Sequence, residues 1–349
     1  MRGIQKVETY LESIISQGNI PGAVLRVSYK KQTILNKAVG WKKLYPSRME
    51  MTSDTLFDVA SLTKVVATLP VVLKLVDEGL ISLTDSIKTY LPDFVNPDVT
   101  IQHLLTHTSG LKATKEYSKG DMTYPQVVQD ICNNSLEAGA GEKVIYSDLG
   151  FILLKEIVET ASKTEFFSLI QKEIYSPLGM SETVFKPTMN ESRYASTEYS
   201  DVTGGYKCGK VHDENAYYFG GISGHAGLFS SAEDLAKYAT MIEQNGMAAG
   251  KQILKEETVQ LSKQLMTNGL GERRGIGWQL KDEDYSPCGK LFSGQSYGHT
   301  GFTGTSLWFD PERSLYVILL TNRVHVGRKP DILTVRPKIH SLIVEAISN

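Results

Sequence analysis

The chain has 349 residues, 41% of them hydrophobic and 22% charged, with a formal net charge of -2. That balance suits a globular fold and argues against disorder, and with no long run of Lys or Arg it argues against a nucleic-acid surface. Three cysteines, Cys132, Cys208 and Cys288, are odd in number and widely spaced, so reduced, buried thiols are expected in place of a disulfide framework or a C-x-x-C metal or redox centre.

The opening stretch, 1–20, lacks a basic head followed by an apolar run. It reads as an amphipathic helix with Ile4, Val7, Leu11, Ile14 and Ile15 on one side. No apolar run reaches membrane-spanning length, so a cytoplasmic protein without a membrane partner is expected. Two β-prone runs, 23–29 and 33–39, flank Lys30-Lys31 and read as a hairpin. The segment 65–79 is apolar nearly all round and should be a buried helix, kinked or deprived of one backbone bond at Pro70. Further helices are expected at 101–106, 149–160, 165–175 and 232–244, the last capped by Ser230 or Ser231. Short strands are expected at 275–280, 297–300, 303–310 and 315–321, and a closing helix at 338–347. This order predicts an α+β fold in which both chain ends build one antiparallel sheet. Residues 1–78 and 269–349 would form the sheet domain, 79–268 an inserted helical domain, with a cleft between them.

Ser61-Leu62-Thr63-Lys64 places a hydroxyl and an amine one helical turn apart. A serine needs a neighbour to take its proton, and a lysine whose pKa is lowered by burial can do so. The same spacing at Ser28–Lys31 and Ser109–Lys112 falls on a strand and in a glycine turn; only the Ser61 copy opens an apolar helix. Ser61 as a mere cap and Lys64 as a solvated side chain is the competing reading. Tyr146-Ser147-Asp148 precedes another apolar helix, and a tyrosine beside a cationic lysine loses its proton more readily. Asp148 reads either as the cap of that helix or as a carboxylate that keeps Lys64 charged, which favours Tyr146 as the base. A second Tyr-Ser-Asp at 199–201 precedes a glycine-rich loop instead. His103 and His107 have a zinc-ligand spacing without the glutamate of H-E-x-x-H, and His107 reads as a cap that suits the helix dipole.

On these elements, with His299-Thr300-Gly301 and Leu104-Leu105-Thr106-His107-Thr108-Ser109-Gly110, nearly the whole chain resembles the serine β-lactamases and penicillin-binding proteins, in the branch that holds class C enzymes and esterases. The resemblance implies a β-lactamase-like fold and a serine hydrolase that works through an acyl-enzyme on a small-molecule substrate, without metal or cofactor. It implies Ser61 as nucleophile, Lys64 and Tyr146 as managers of protons, and the amides of Ser61 and Phe302 as the oxyanion hole. Asp148, His299, Thr300 and Gly301 would face the substrate, and Gly301 and Gly304 would let it approach the strand closely. Asp148 stands where the family has asparagine, and His299 where lysine is commonest. A histidine mostly neutral at pH 7 weakens the capture of a β-lactam carboxylate.

The strings Val211-His212-Asp213-Glu214-Asn215-Ala216 and Gly224-His225-Ala226-Gly227-Leu228-Phe229 resemble a subgroup of cell-wall-recycling N-acetylmuramoyl-L-alanine amidases. That implies His212, Asp213 and Asn215 in the cleft and a muropeptide amide as substrate; a loop fastened by local hydrogen bonds is the plainer reading. A broad carboxylesterase, a β-lactamase and a catalytically idle penicillin sensor are the alternatives.

Overall fold

The computed structural model describes residues 2–187, 191–328 and 332–348; Met1, included in the expected opening helix, lies outside them. The hairpin forms as β1 (Gly22–Tyr29) and β2 (Gln32–Lys43). Its turn residues Lys30 and Lys31 both take positive φ, 49° and 64°, as a two-residue hairpin turn requires. With β3 (Met49–Glu50) they form half of a seven-stranded antiparallel sheet. The other half comes from the far end of the chain. Leu315–Thr321 pairs directly with β1, and Ser306–Asp310, Tyr297–Thr300 and Gln279–Leu280 follow outward.

Two of these strands are shorter than the alternation predicts. The strand expected over 275–280 forms only at Gln279–Leu280, because Gly277 turns the chain at φ 78° and Gly275 donates back to the Trp278 carbonyl. The one expected over 303–310 starts at Ser306, because 301–304 closes a turn through Gly304 N–H to the Gly301 carbonyl.

Period-two alternation sends the two faces of the sheet into two separate cores. Leu25, Val27, Val317 and Leu319 pack under α1 (Arg2–Ser16) and the C-terminal helix Ile332–Ser348, against Val7, Leu11, Ile339 and Ile343. Gly3 lets those helices cross closely: a Cβ there would lie 2.5 Å from the Ala346 Cα. On the opposite face Val24, Ile318 and Leu320 join a larger core with Leu235 and Ala239 of the helix Ala232–Glu243. The C-terminal helix begins six residues before the expected 338 and carries Pro337 inside it. Tertiary packing of Val335 and Arg336, both buried, holds the turn ahead of the proline.

The segment after Ser61 also departs from expectation. A 3₁₀ turn, Ala60–Leu62, runs into a wide π turn, Lys64–Thr68, and only then into α2 (Leu69–Asp77). Pro70 therefore does not kink a helix; it sits in the first turn of α2, where its missing N–H is no loss. α3 (Ile101–Leu105) is capped by Thr100. α4 (Tyr124–Asn133) and the helix Glu256–Ser262 are short and polar and escaped the periodicity. α5 (Asp148–Ser162) is capped by Ser147, whose Oγ accepts from Gly150 N–H, and not by Asp148. The expected helix at 165–175 divides into Phe166–Ile170 and a second π turn, Gln171–Tyr175. All three cysteines are free and buried. Among the described residues no helix is long and apolar enough to cross a membrane.

Candidate active site

The site begins with backbone strain. Ala60, just before Ser61, holds a left-handed φ of 47°, a conformation that disfavours a side chain. Its N–H is pinned at 2.8 Å by the buried carboxylate of Asp58, which also accepts the His212 N–H at 2.6 Å. Burial pushes the Asp58 carboxyl above its usual range despite these two donors.

Lys64 is fully buried, and each ammonium hydrogen has its own acceptor. Nζ lies 3.2 Å from Ser61 Oγ, 2.7 Å from Asp148 Oδ1 and 3.1 Å from the His225 carbonyl. Burial alone would pull this amine down, but Asp148 and Tyr146 outweigh it and the pKa is raised. Lys64 is thus a cation; of the two expectations, an amine neutralised by burial and an amine kept charged by Asp148, it follows the second.

Tyr146 lies in a box of four nitrogen-bearing side chains. The Lys64 ammonium is 4.8 Å from its ring centroid and the Arg274 guanidinium carbon 5.2 Å. The His107 ring is 4.4 Å away and the His299 ring 5.9 Å. His107 Nδ1 accepts the Ser147 N–H at 3.0 Å, tying the Leu104–Gly110 motif to the tyrosine motif. Burial, with Arg274 and Lys64, holds His107 well below its usual range, so it is neutral and exerts no charge on the helix dipole, contrary to expectation. His103 is occupied separately, its Nδ1 accepting the Thr100 N–H at the start of α3. His299 is buried and likewise held well below its usual range, first by burial and then by Arg274 and Lys64. Its Nδ1 lies 2.9 Å from the Thr300 carbonyl and so carries the proton.

Ser61, Tyr146, Thr300, Gly301 and Phe302 border a cavity of about 540 Å³ together with Arg323, Arg328 and Arg336. Larger cavities, of about 620 and 910 Å³, lie beside Lys263 and Tyr285 and hold none of these residues. Two of the arginines build the turn that carries Phe302. Arg336 Nη2 donates to the Gly301 and Thr305 carbonyls at 2.8 Å each, and Arg323 Nε to the Phe302 carbonyl at 2.9 Å. Burial pulls the Arg336 guanidinium down to about 9. The Phe302 N–H meets no acceptor among the described residues. Gly301 and Gly304 make room for the protein itself, not for a ligand. A Cβ on Gly301 would lie 2.4 Å from the Val59 carbonyl oxygen, and one on Gly304, at φ 113°, 2.0 Å from Thr321 Oγ1.

The loop residues 212, 213 and 215 do not border the Ser61 cavity. His212 bonds Glu198 through Nε2 at 2.8 Å and stacks behind Phe302, ring centroids 5.6 Å apart. Asp213 caps the helix Glu214–Tyr218 and holds His225 Nε2 at 3.0 Å. Asn215 clamps the Tyr117 N–H at 2.9 Å and the Lys115 carbonyl at 2.8 Å. The loop acts as a fastener that delivers the His225 carbonyl to Lys64. Arg274, Arg323, Arg336 and Glu198 carried no sequence signal, since nothing in their spacing distinguishes them from surface charges.

Residues 5–336 match the protein-family model described as Beta-lactamase. Over 345 residues the chain is 33% identical to an Escherichia coli (strain K12) protein named "Putative D-alanyl-D-alanine carboxypeptidase", covering 87% of this chain and 79% of that one. Among solved structures, EstCE1, described as a hydrolase with promiscuous acyltransferase activity, superposes with a TM-score of 0.77 at 22% identity, covering 97% of this chain and 98% of the other. The octameric penicillin-binding protein homologue from Pyrococcus abyssi gives 0.76 at 23% identity, covering 99% and 77%.

Proposed function

The chain belongs to the beta-lactamase family and is a serine hydrolase, and from that premise we propose that it cleaves, through an acyl-enzyme on Ser61, a terminal amide of a cell-wall peptide whose leaving amino acid carries a carboxylate. The observation that carries this reading is the bonding of Lys64. Its three ammonium hydrogens are each matched to an acceptor on a neighbour, one of them Ser61 Oγ, so it orients the nucleophile and leaves the proton to be taken elsewhere. Tyr146, packed against that ammonium, is the base. With Tyr146 reacting as its phenolate beside the Lys64 ammonium, Ser61 Oγ attacks the carbonyl carbon as its proton passes to the Tyr146 oxygen, leaving a neutral phenol, and the oxyanion meets the amides of Ser61 and Phe302. The C–N bond breaks, the leaving nitrogen takes the proton back from Tyr146, and water hydrolyses the ester by the same route. One such amide donor is typically worth about 2.7–4 kcal/mol.

His299, held neutral, offers no charge to a carboxylate. The Ser61 cavity, which His299 does not border, is instead walled by Arg323, Arg328 and Arg336, of which Arg328 is ion-paired with Glu198 and Glu214. A D-alanyl-D-alanine terminus fits that wall and agrees with the name of the Escherichia coli relative. The N-acetylmuramoyl-L-alanine bond has weaker support, because the loop behind that reading is engaged as a fastener. An esterase on short acyl groups is the second reading, favoured by the neutral His299.

A fluorophosphonate probe should add mass at Ser61 in the wild type and not in Ser61→Ala; an unlabelled wild type would leave a binding module. A peptide ending in D-Ala-D-Ala, a MurNAc-dipeptide, p-nitrophenyl acetate and a chromogenic cephalosporin are then compared by kcat/KM. The carboxypeptidase reading fails if D-Ala release is slower than turnover of the muramyl amide or of the ester.

A further inference from the structure

The sheet edge contributes a second cation to Tyr146. Arg274 lies just before the edge strand Gln279–Leu280, with its main chain fixed on both sides: its N–H bonds Thr267 Oγ1 at 2.8 Å, and its carbonyl accepts the Met266 N–H at 2.8 Å. The residue is 4% exposed, which for a guanidinium demands a reason. Its carboxylate partner is Glu272, 2.6 Å from Nη2, which also accepts from Gln279 Nε2 at 3.2 Å. Nε and Nη1 are buried with no acceptor among the described residues. The guanidinium carbon stands 5.2 Å from the Tyr146 ring centroid, while Lys64 approaches the same ring at 4.8 Å.

The groups facing Tyr146 from every packed element are therefore Lys64, Arg274, His107 and His299, with Asp148 behind Lys64 and Glu272 behind Arg274. His107 accepts at Nδ1 and so keeps its proton on Nε2; His299 donates at Nδ1 and so bears a lone pair on Nε2. Both rings are neutral, which leaves Lys64 and Arg274 as the two positive charges against the phenol. Lys64 has spent its hydrogens on Ser61, Asp148 and His225. Arg274 touches neither Ser61 nor the cavity beside it.

We infer that Arg274 is a positioning residue for the acylation step, a buried cation that holds the Tyr146 ring in place and stabilises the phenolate that must form before its oxygen can take the Ser61 proton. It supplies from the sheet edge the charge that position 299 lacks. This inference rests on the reading of Tyr146 as base, and the variants separate the two. The readout is the second-order rate of Ser61 labelling by a fluorophosphonate, and kcat and KM for p-nitrophenyl acetate, each against pH.

Arg274→Gln should lower the labelling rate and kcat by roughly tenfold to thirtyfold, the scale of a desolvated cation on a ring, with KM little changed and the acid limb of the profile moved to higher pH. Arg274→Lys should restore most of the rate. Glu272→Gln keeps the guanidinium and removes its counter-charge, so its acid limb should move to lower pH, the opposite direction; this variant also serves if Arg274→Gln does not fold. Arg274→Gln with wild-type rate and profile overturns the inference, as does Glu272→Gln shifting the limb upward or not at all. Tyr146→Phe labelled at the wild-type rate would instead overturn Tyr146 as base, whatever the Arg274 variants do.

Discussion

Lys64 and Ser61 stand one turn apart in sequence, which is why their pairing was legible: the contact is local, and helical geometry makes it. Asp148 was legible only as a choice between cap and counter-ion, and the structure decides for the counter-ion because Ser147 takes the cap. Arg274 and Arg323 were illegible because their meaning lies in what the sheet places beside them. The Lys64–Asp148 pair makes a prediction at this scale. In Asp148→Asn, burial acts on Lys64 unopposed by a carboxylate, so the alkaline limb of kcat/KM, along which the ammonium is lost, should move to lower pH. Breaking a buried pair costs about 3–5 kcal/mol, and with Asp148 24% exposed the lower end applies. Denaturant unfolding of both proteins checks the second figure, and a pH–rate profile the first.

Among the elements, the loop around His225 does more than connect helices. Gly224 lies so close to α5 that a Cβ would meet the Phe151 carbonyl oxygen at 2.0 Å, and its own carbonyl accepts Thr68 Oγ1 at 2.6 Å. The next residue supplies the third acceptor of Lys64. Gly224→Ala should therefore push the loop off α5, lowering both the melting temperature and the rate of Ser61 labelling, the latter at least about tenfold, the loss of one charge-assisted hydrogen bond. Unchanged labelling in a destabilised variant would mean that the carbonyl is dispensable. Ser231 is a plainer case: its Oγ accepts the Asp234 N–H at 3.2 Å, and Ser231→Ala should cost about 1 kcal/mol in urea unfolding without touching kcat. Two of the elements misjudged from sequence lie at prolines. The closing helix was expected only from 338, just after Pro337, and Pro70 was expected to kink a helix, whereas packing carries one helix through its proline and a π turn lets the other begin.

For the whole molecule, the two-ended sheet was legible in the order of elements, because the longer strand-like runs lie near the ends, while the middle is mainly helical with strands of only two or three residues. Acid stability is a property of the same whole. His107, His299, His325 and His340 are buried and held below the usual histidine range, chiefly by burial, His340 at about 4. The unfolded chain takes up these protons near pH 6.5, before the folded one does. Their contribution is complete above about pH 6.5 and is lost as pH falls towards 4. Glu198, held at about 2 by His212 and Arg328 against the opposing effect of burial, works in another window: its contribution begins to go below about pH 4.3 and is gone below 2. Melting temperatures should therefore be level near neutrality and decline between pH 6.5 and 4. His340→Leu should flatten part of that decline; an equally steep fall in the variant would remove His340 from the account.

Leu315–Thr321 lies between β1 and Ser306–Asp310, and the Thr303 and Thr305 hydroxyls grip the Asp58 and Val59 carbonyls just ahead of Ser61. These contacts span 245 and 246 positions. A chain emerging from the ribosome thus carries Ser61 and Lys64 long before Thr303 and Thr305, which hold the backbone ahead of them, have been made. On the proposed role of Ser61, a fragment ending before residue 296, and so lacking Thr303 and Thr305, should leave a fluorophosphonate probe untouched.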